Sequence, residues 1–259
     1  MSTRDCDDCG REAGFHKPGC TGAAKGATVK RFIKVAFEGG DAVGKATQTK
    51  MFADRFGARL FSFPNYNTDT GRAILGHLKE EWICAVEGSA EIDGEPAPCW
   101  TRAGEQLDMM TFQSLMASNR YEAADEIIRA AQSQHVAFDR YSLSGIVYGT
   151  VEGLDPGWLW RLHSSLPQPD AWILLDAPVD TGFARRPERR DRNERNRGKL
   201  YKLRNEYLRV FDERAALFPS QFWRVIDAAR SRDEVHASIC ANLRAHFGRD
   251  VIDDVKVPA

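Results

Sequence analysis

Five short apolar runs punctuate the chain: FIKVAF (32–37), ARLFSF (58–63), HVAF (135–138), AWILLDAP (171–178) and FWRVIDA (222–228). The first enters a glycine turn, the second stops at Pro64 and the third at Asp139. Short runs of this kind, bounded by turn residues, are the pattern of buried strands. Between them apolar residues recur at helical spacing. Helices are expected over 45–56, over Thr70–Glu81 with Thr70 as cap, and from Glu105 to about Ser133 with Phe112, Leu115, Met116 and Asn119 on one face. Further helices are expected over 158–166, to about Leu217, and over Asp233–Phe247. Strands alternating with helices predict an α/β fold, a parallel five-stranded sheet with helices on both faces. Residues 82–104 hold two Pro, three Gly and two Cys and read as an inserted loop or hairpin.

Composition narrows the class. The 259 residues include 36 Lys plus Arg against 37 Asp plus Glu, a net charge of −1, and 42% are hydrophobic. Such a chain buries its own core and is neither disordered nor collagenous. Charge near zero argues against a protein that coats nucleic acid. No apolar run approaches the ~18 residues of a membrane span. With no apolar leader at the N-terminus, the cytoplasm is the expected compartment.

Three of the six cysteines crowd into the first twenty residues. Cys6-x2-Cys9-x6-His16-x3-Cys20 is a CCHC set able to complete a tetrahedral zinc shell. So short a segment has no core of its own, and zinc would have to fold it. Residues 1–20 therefore read as a zinc-knuckle segment and 21–30 as a linker. Cys84 and Cys99 lack further ligands and read as ordinary cysteines.

The strongest signal lies between the first strand and first helix. Gly39-Gly40-Asp41-Ala42-Val43-Gly44-Lys45-Ala46-Thr47 fits GxxxxGK, the P-loop pattern. Backbone N–H groups of such a loop cradle phosphate oxygens, and Lys45 would reach the terminal phosphates. The next residue should be Ser or Thr, to help hold Mg²⁺. Ala46 stands there, with Thr47 one place later. Asp139 falls at a strand end, where open α/β sheets bind ligands. It can hold Mg²⁺ through water, with Arg140 beside it to grip an acceptor phosphate; the plainer alternative is a surface ion pair. Met116 and Arg120, four apart, share a helix face, so one can lie on a base while the other reaches a phosphate or a base edge. Residues 185–214 carry ten Arg and two Lys against six acids, either a salt-bridged helix face or a lid over the phosphates.

The motifs resemble the thymidylate kinase family. Glu38 through Gln48 resembles its EGxDGxGKSTQ loop. Phe63-Pro64 with Thr68 and Gly71 resembles FPxxxTxxG, Ala117-Ser118-Asn119-Arg120 resembles (A/S)xxR, and Asp139-Arg140-Tyr141 with Ser144 resembles DRYxxS. Leu166-Pro167-Gln168-Pro169-Asp170, Asp191-Arg192-Asn193-Glu194 and Ile226-Asp227-Ala228 resemble LPxPD, the DRxE of the lid and the late IDA, in family order.

The resemblance implies a P-loop NTPase fold with an arginine-rich lid, a kinase domain over 31–247 and a tail over 248–259. It implies transfer from ATP, with Mg²⁺, to a deoxynucleoside monophosphate, foremost dTMP. The alternatives are another or modified pyrimidine deoxynucleotide, or a catalytically weak module binding nucleotide or nucleic acid. Lys45, Asp139 and Arg140 would be catalytic, with Arg186 and Arg192 from the lid. ATP would lie on Gly39 and Asp41 through Thr47, its adenine near Asp227 and Ala228. The acceptor would meet Asp41, Phe63, Tyr66, Met116, Arg120 and Arg140, with Ser144 and Tyr148 beside it. The chain departs from the family at Ala46, at Tyr66 where an arginine is common, at Met116 where a Phe is common, and at Asn193. Since Ala42 follows Asp41, the loop lacks an arginine some members place there, and the lid should supply one, from Arg186, Arg190 or Arg192. Such kinases are often dimers.

Overall fold

The computed structural model describes residues 32–79, 91–92, 95–96, 107–185, 196–219 and 221–253. The zinc set at Cys6, Cys9, His16 and Cys20, the linker, most of the 82–104 insert, and lid residues Arg186, Arg190, Arg192 and Asn193 lie outside them.

All five expected strands form. β1 (Lys34–Gly39) sits at the centre of a parallel sheet, flanked by β5 (Val136–Asp139) and β6 (Ala171–Asp176). β2 (Arg59–Ser62) and β7 (Phe222–Asp227) are the edges, giving the order β2-β5-β1-β6-β7. Within the insert, β3 (Glu91–Ile92) and β4 (Glu95–Pro96) pair antiparallel as a hairpin. Alternation along β1 divides the core. Val35 and Phe37 pack with Phe52 and Phe56 of α1 (Lys45–Phe56) and with Ile239 and Leu243 of α9 (Arg232–Phe247). Ala36 faces the other way, into a layer with Phe138 of β5, Leu143 and Val147 of α5 (Ser142–Val151), and Tyr207 and Phe211 of α8 (Arg197–Leu217). Helices cover both faces, which is why β1 and β6 read as continuous apolar runs.

Local differences from the sequence reading have clear causes. α2 (Asp69–Lys79) is capped by Thr68, whose hydroxyl accepts from the Gly71 N–H at 3.1 Å, and Thr70 lies inside the helix. The expected long helix after Glu105 is two: α3 (Met109–Tyr121), capped by Asp108, and α4 (Ala124–Ala130). The chain turns at Glu122 and Ala123, and Ile127 and Ala130 of α4 then enter the sheet core. α5 gave no periodic signal because seven of its ten residues are buried, and a helix buried all round loses its polar stripe. Short α6 (Pro156–Leu162) starts at a proline capped by Asp155, and α7 (Val179–Arg185) follows β6.

The expected C-terminal tail is partly core. α10 (Arg249–Asp253) follows α9, and its Ile252 is fully buried in the same core layer as Phe52 of α1 and Leu243 of α9. Arg244 holds the helix by an ion pair to Asp253 at 2.6 Å. Ile252→Ala is expected to cost about 2–4 kcal/mol through the cavity it leaves. Reversible denaturant unfolding measures it, and an unchanged midpoint would show that α10 contributes nothing to the core.

Candidate active site

The loop from β1 to α1 needs its glycines. Gly39 has φ 142°, and a Cβ there would collide with the Leu175 carbonyl. Gly44, with φ 97°, opens α1 in the left-handed region. No side chain caps α1, so its first N–H groups remain available to an anion. Lys45 is buried, and its Nζ donates to the Gly40 carbonyl. Burial and then Arg140 push the Lys45 ammonium down to about 8, against the pull of Asp41, Asp139 and Glu38. A buried lysine folded back on its own glycine loop fits a group waiting for phosphate.

Asp41 joins this loop to the end of β5. Its carboxylate accepts from Arg140 Nη2 and, at 2.9 Å, from the Tyr148 hydroxyl. Burial alone would raise the Asp41 carboxyl; Arg140, Lys45 and Tyr148 together hold it below its ordinary value. Arg140 itself has φ 63°, a conformation rare for a non-glycine residue and found where function requires it. Its N–H donates to the Phe37 carbonyl at 3.0 Å.

What aims Arg140 is Glu38, which the sequence reading did not count as a site residue. Glu38 is fully buried and accepts from the Tyr141 N–H at 2.8 Å, the Ser144 N–H at 3.2 Å and the Ser144 hydroxyl at 2.5 Å. The Tyr207 hydroxyl lies 3.4 Å away. Glu38 therefore caps the first turn of α5 from β1 and sets the Arg140–Tyr141 corner. Ser144 is consumed by this contact and faces the core. An acid inside an apolar strand, one residue before the loop, was the available clue.

The acceptor side forms on α3. Asn119 accepts from the Asn65 N–H at 2.7 Å and donates to Thr68 and Thr70, both at 2.9 Å, stapling the Phe63–Thr70 segment to the helix. Gly71 permits this, since a Cβ there would overlap the Asn65 backbone. Phe63 is buried, Met116 half-buried, and Tyr66 exposed. Arg120 is 1% exposed, donates from Nη1 to the Met116 carbonyl at 2.5 Å, and leaves Nε and Nη2 without partners. Burial pulls the Arg120 guanidinium down to about 10. A buried guanidinium with unused donors suits an anion or a carbonyl-bearing ring.

Two further expectations separate here. Asp139 is half-buried at the end of β5 and accepts from the Ser62 hydroxyl at 3.3 Å. Asp227 instead accepts from the Ala229 N–H at 2.9 Å and pairs with Arg230, so its carboxylate serves its own turn. Ala228 is buried, and Arg185 donates to the carbonyls of Ala229 and Arg230 at 3.3 and 3.2 Å, tying that turn to α7. Ala46 and Thr47 are exposed at the start of α1. Among the described residues no three His, Cys, Asp or Glu side chains gather as a metal cage. Mg²⁺ handled with nucleotides takes one or two carboxylates plus phosphate oxygens and waters, so Asp139 fits it.

Sheet order, glycine loop and buried lysine together define a P-loop protein that handles nucleoside phosphates. The sequence model of the thymidylate kinase family matches residues 100–239. A thymidylate kinase of Chromohalobacter salexigens is 34% identical over 227 residues, covering 83% of this chain and 96% of that protein. One of Dictyostelium discoideum is 25% identical over 226 residues, covering 85% and 88%. The solved thymidylate kinase of Candida albicans superposes with a TM-score of 0.69 at 20% identity, over 84% of this chain and 93% of that one. The chain belongs to the thymidylate kinase family and is a phosphotransferase. No helix of the described residues is long and apolar enough to cross a membrane.

Proposed function

We propose that this kinase moves the γ-phosphoryl group of ATP onto the 5′-phosphate of a deoxynucleoside monophosphate, with dTMP preferred. The observation that carries this reading is the junction of Lys45, Asp41, Arg140 and Tyr148, which brings the phosphate loop against the end of β5. Phosphoryl transfer needs alignment and charge neutralisation more than covalent help. Lys45 and the loop N–H groups would neutralise the donor phosphates, and Arg140 would grip the acceptor phosphate. Asp41 and Tyr148 hold Arg140 in place before substrate arrives. Phe63, Met116 and Arg120 would receive the base, and the lid arginines Arg186 and Arg192 would close over the transferring group. A coupled ADP-release assay across dTMP, dUMP, dCMP, dGMP and dAMP tests the reading; no turnover with any of them would defeat it.

Mg²⁺ neutralises phosphate charge when bound. Asp139, steadied by Ser62, would hold its waters, and Ala46 withholds one hydroxyl ligand. Asp139→Ala is therefore expected to lower kcat by about 10²-fold or more, as for loss of a group aimed at developing charge. Ala46→Ser should change it only a few-fold, because the hydroxyl is one ligand among several. Initial rates across a Mg²⁺ titration compare the variants. If Ala46→Ser awakens an otherwise silent protein, the native chain binds nucleotide without turning it over.

The Cys6, Cys9, His16 and Cys20 set is proposed as a structural zinc site on a segment separable from residues 31–247. Elemental analysis should find about one zinc per chain, lost when Cys6 and Cys9 are both changed to Ser. Zinc-free wild-type protein would refute the site. Pairing as a homodimer is proposed on family grounds, and nucleic acid as a partner of the N-terminal segment is not favoured.

A further inference from the structure

Between α3, α5 and α6 three side chains bury polar atoms that meet no partner. Gln113 is 1% exposed with Oε1 unpaired, and His163 is 2% exposed with both ring nitrogens unpaired. Arg120 adds its unpaired Nε and Nη2. Buried polar groups are nearly always hydrogen-bonded, so five such atoms, on two side chains of α3 and one at the end of α6, mark a missing partner. Gly145 of α5 makes room for them: a Cβ there would stand 2.6 Å from His163 Nε2 and 3.5 Å from Gln113 Oε1. The Tyr121 hydroxyl, donating to the Leu162 carbonyl at 3.0 Å, ties α3 to α6 next to His163.

We propose that Gln113 and His163 read the edge of the acceptor base and select a pyrimidine that carries a carbonyl beside a ring N–H. The proposal rests on the phosphoryl-transfer reading above, in which Met116 and Arg120 receive that base. Gln113, Met116 and Arg120 follow at spacings of three and four on one face of α3. Arg120 has only donors and folds back along this face toward Met116, so it turns a ring carbonyl toward itself. The next polar atom on the edge of thymine or uracil is an N–H, and Gln113 Oε1 is the unpaired acceptor for it. Cytosine would set an amino group against the guanidinium instead. His163 is held neutral, since burial and Arg120 push its imidazole down to about 3, and a neutral ring both donates and accepts.

The experiment compares wild type, Gln113→Leu and His163→Leu in kcat/KM for dTMP and dCMP, alongside KM for ATP. Wild type should favour dTMP, and each substitution should shrink that preference about tenfold while KM for ATP stays within about twofold, as for loss of one hydrogen bond to the substrate. An unchanged preference, or an equal loss on both nucleotides, would overturn the assignment and leave the cluster a joint between helices. Should a variant fail to fold, wild type is given 3-methylthymidine 5′-phosphate, whose ring nitrogen has a methyl in place of hydrogen. A loss of about tenfold or more supports the proposal, and use equal to dTMP overturns it. Wild type that phosphorylates no nucleotide would defeat the phosphoryl-transfer reading itself.

Discussion

Lys45→Ala is expected to lower kcat by about 10²–10³ while the fold survives, because a preorganised cation facing developing phosphate charge contributes on that scale. Steady-state rates with circular dichroism check both halves, and turnover within a few-fold of wild type would sink the assignment of the loop. The same lysine predicts a stability effect of opposite sign. The folded chain holds Lys45 at about 8, by burial and Arg140, where the ordinary value is 10.5. Unfolding therefore takes up protons between those values, and stability rises with pH across that window. Below pH 8 the charged, buried ammonium costs the nucleotide-free protein about 3 kcal/mol. Lys45→Met should thus be more stable than wild type at pH 7 by up to that amount, with the gain fading as pH approaches 10.5. Urea unfolding at pH 7 and at pH 10 measures it; a Met variant less stable at both would show that Lys45 is not strained. Activity and stability would then be traded at one side chain, as at many functional sites.

Arg140→Ala is expected to lower kcat/KM for dTMP by about 10²–10³ and to leave ATP affinity within a few-fold. Asp41 would lose its ion-pair partner, and leaving one member of this partly buried pair unmatched costs about 1–3 kcal/mol. A lower unfolding midpoint should accompany the kinetic loss. Arg140→Lys should rescue little. A lysine keeps the charge but not the planar fork that can hold Asp41 and a phosphate together. Separate titrations of ATP and dTMP decide the point, and a selective loss of ATP affinity would show that Arg140 serves the donor.

Much of this was legible before the fold. The five strands lie where apolar runs meet Gly, Pro or Asp, with ends displaced by a residue or two. The glycine loop was readable because GxxxxGK is a local pattern, and Gly39 and Gly44 take conformations that favour glycine. Arg120 was singled out because arginine is rarely buried without an anion, and it is indeed buried with donors unspent. Asn119, by contrast, was read as part of an apolar face, because periodicity reports burial and says nothing of what a buried amide holds.

Local sequence determined where strands and helices form, the glycine loop, and the residue types able to serve phosphate chemistry, because turn preference and side-chain period act over a few residues. Only the tertiary structure decided how those residues combine. Asp41 and Arg140 are 99 residues apart, and Glu38 reaches Ser144 across 106 and Tyr207 across 169. No periodicity spans such distances. The parallel pairing of β1 with β5 brings their ends together, and burial there makes each charge depend on its partner. For the same reason Ser144, which in sequence stands among the acceptor residues, became the support that lets Glu38 aim Arg140.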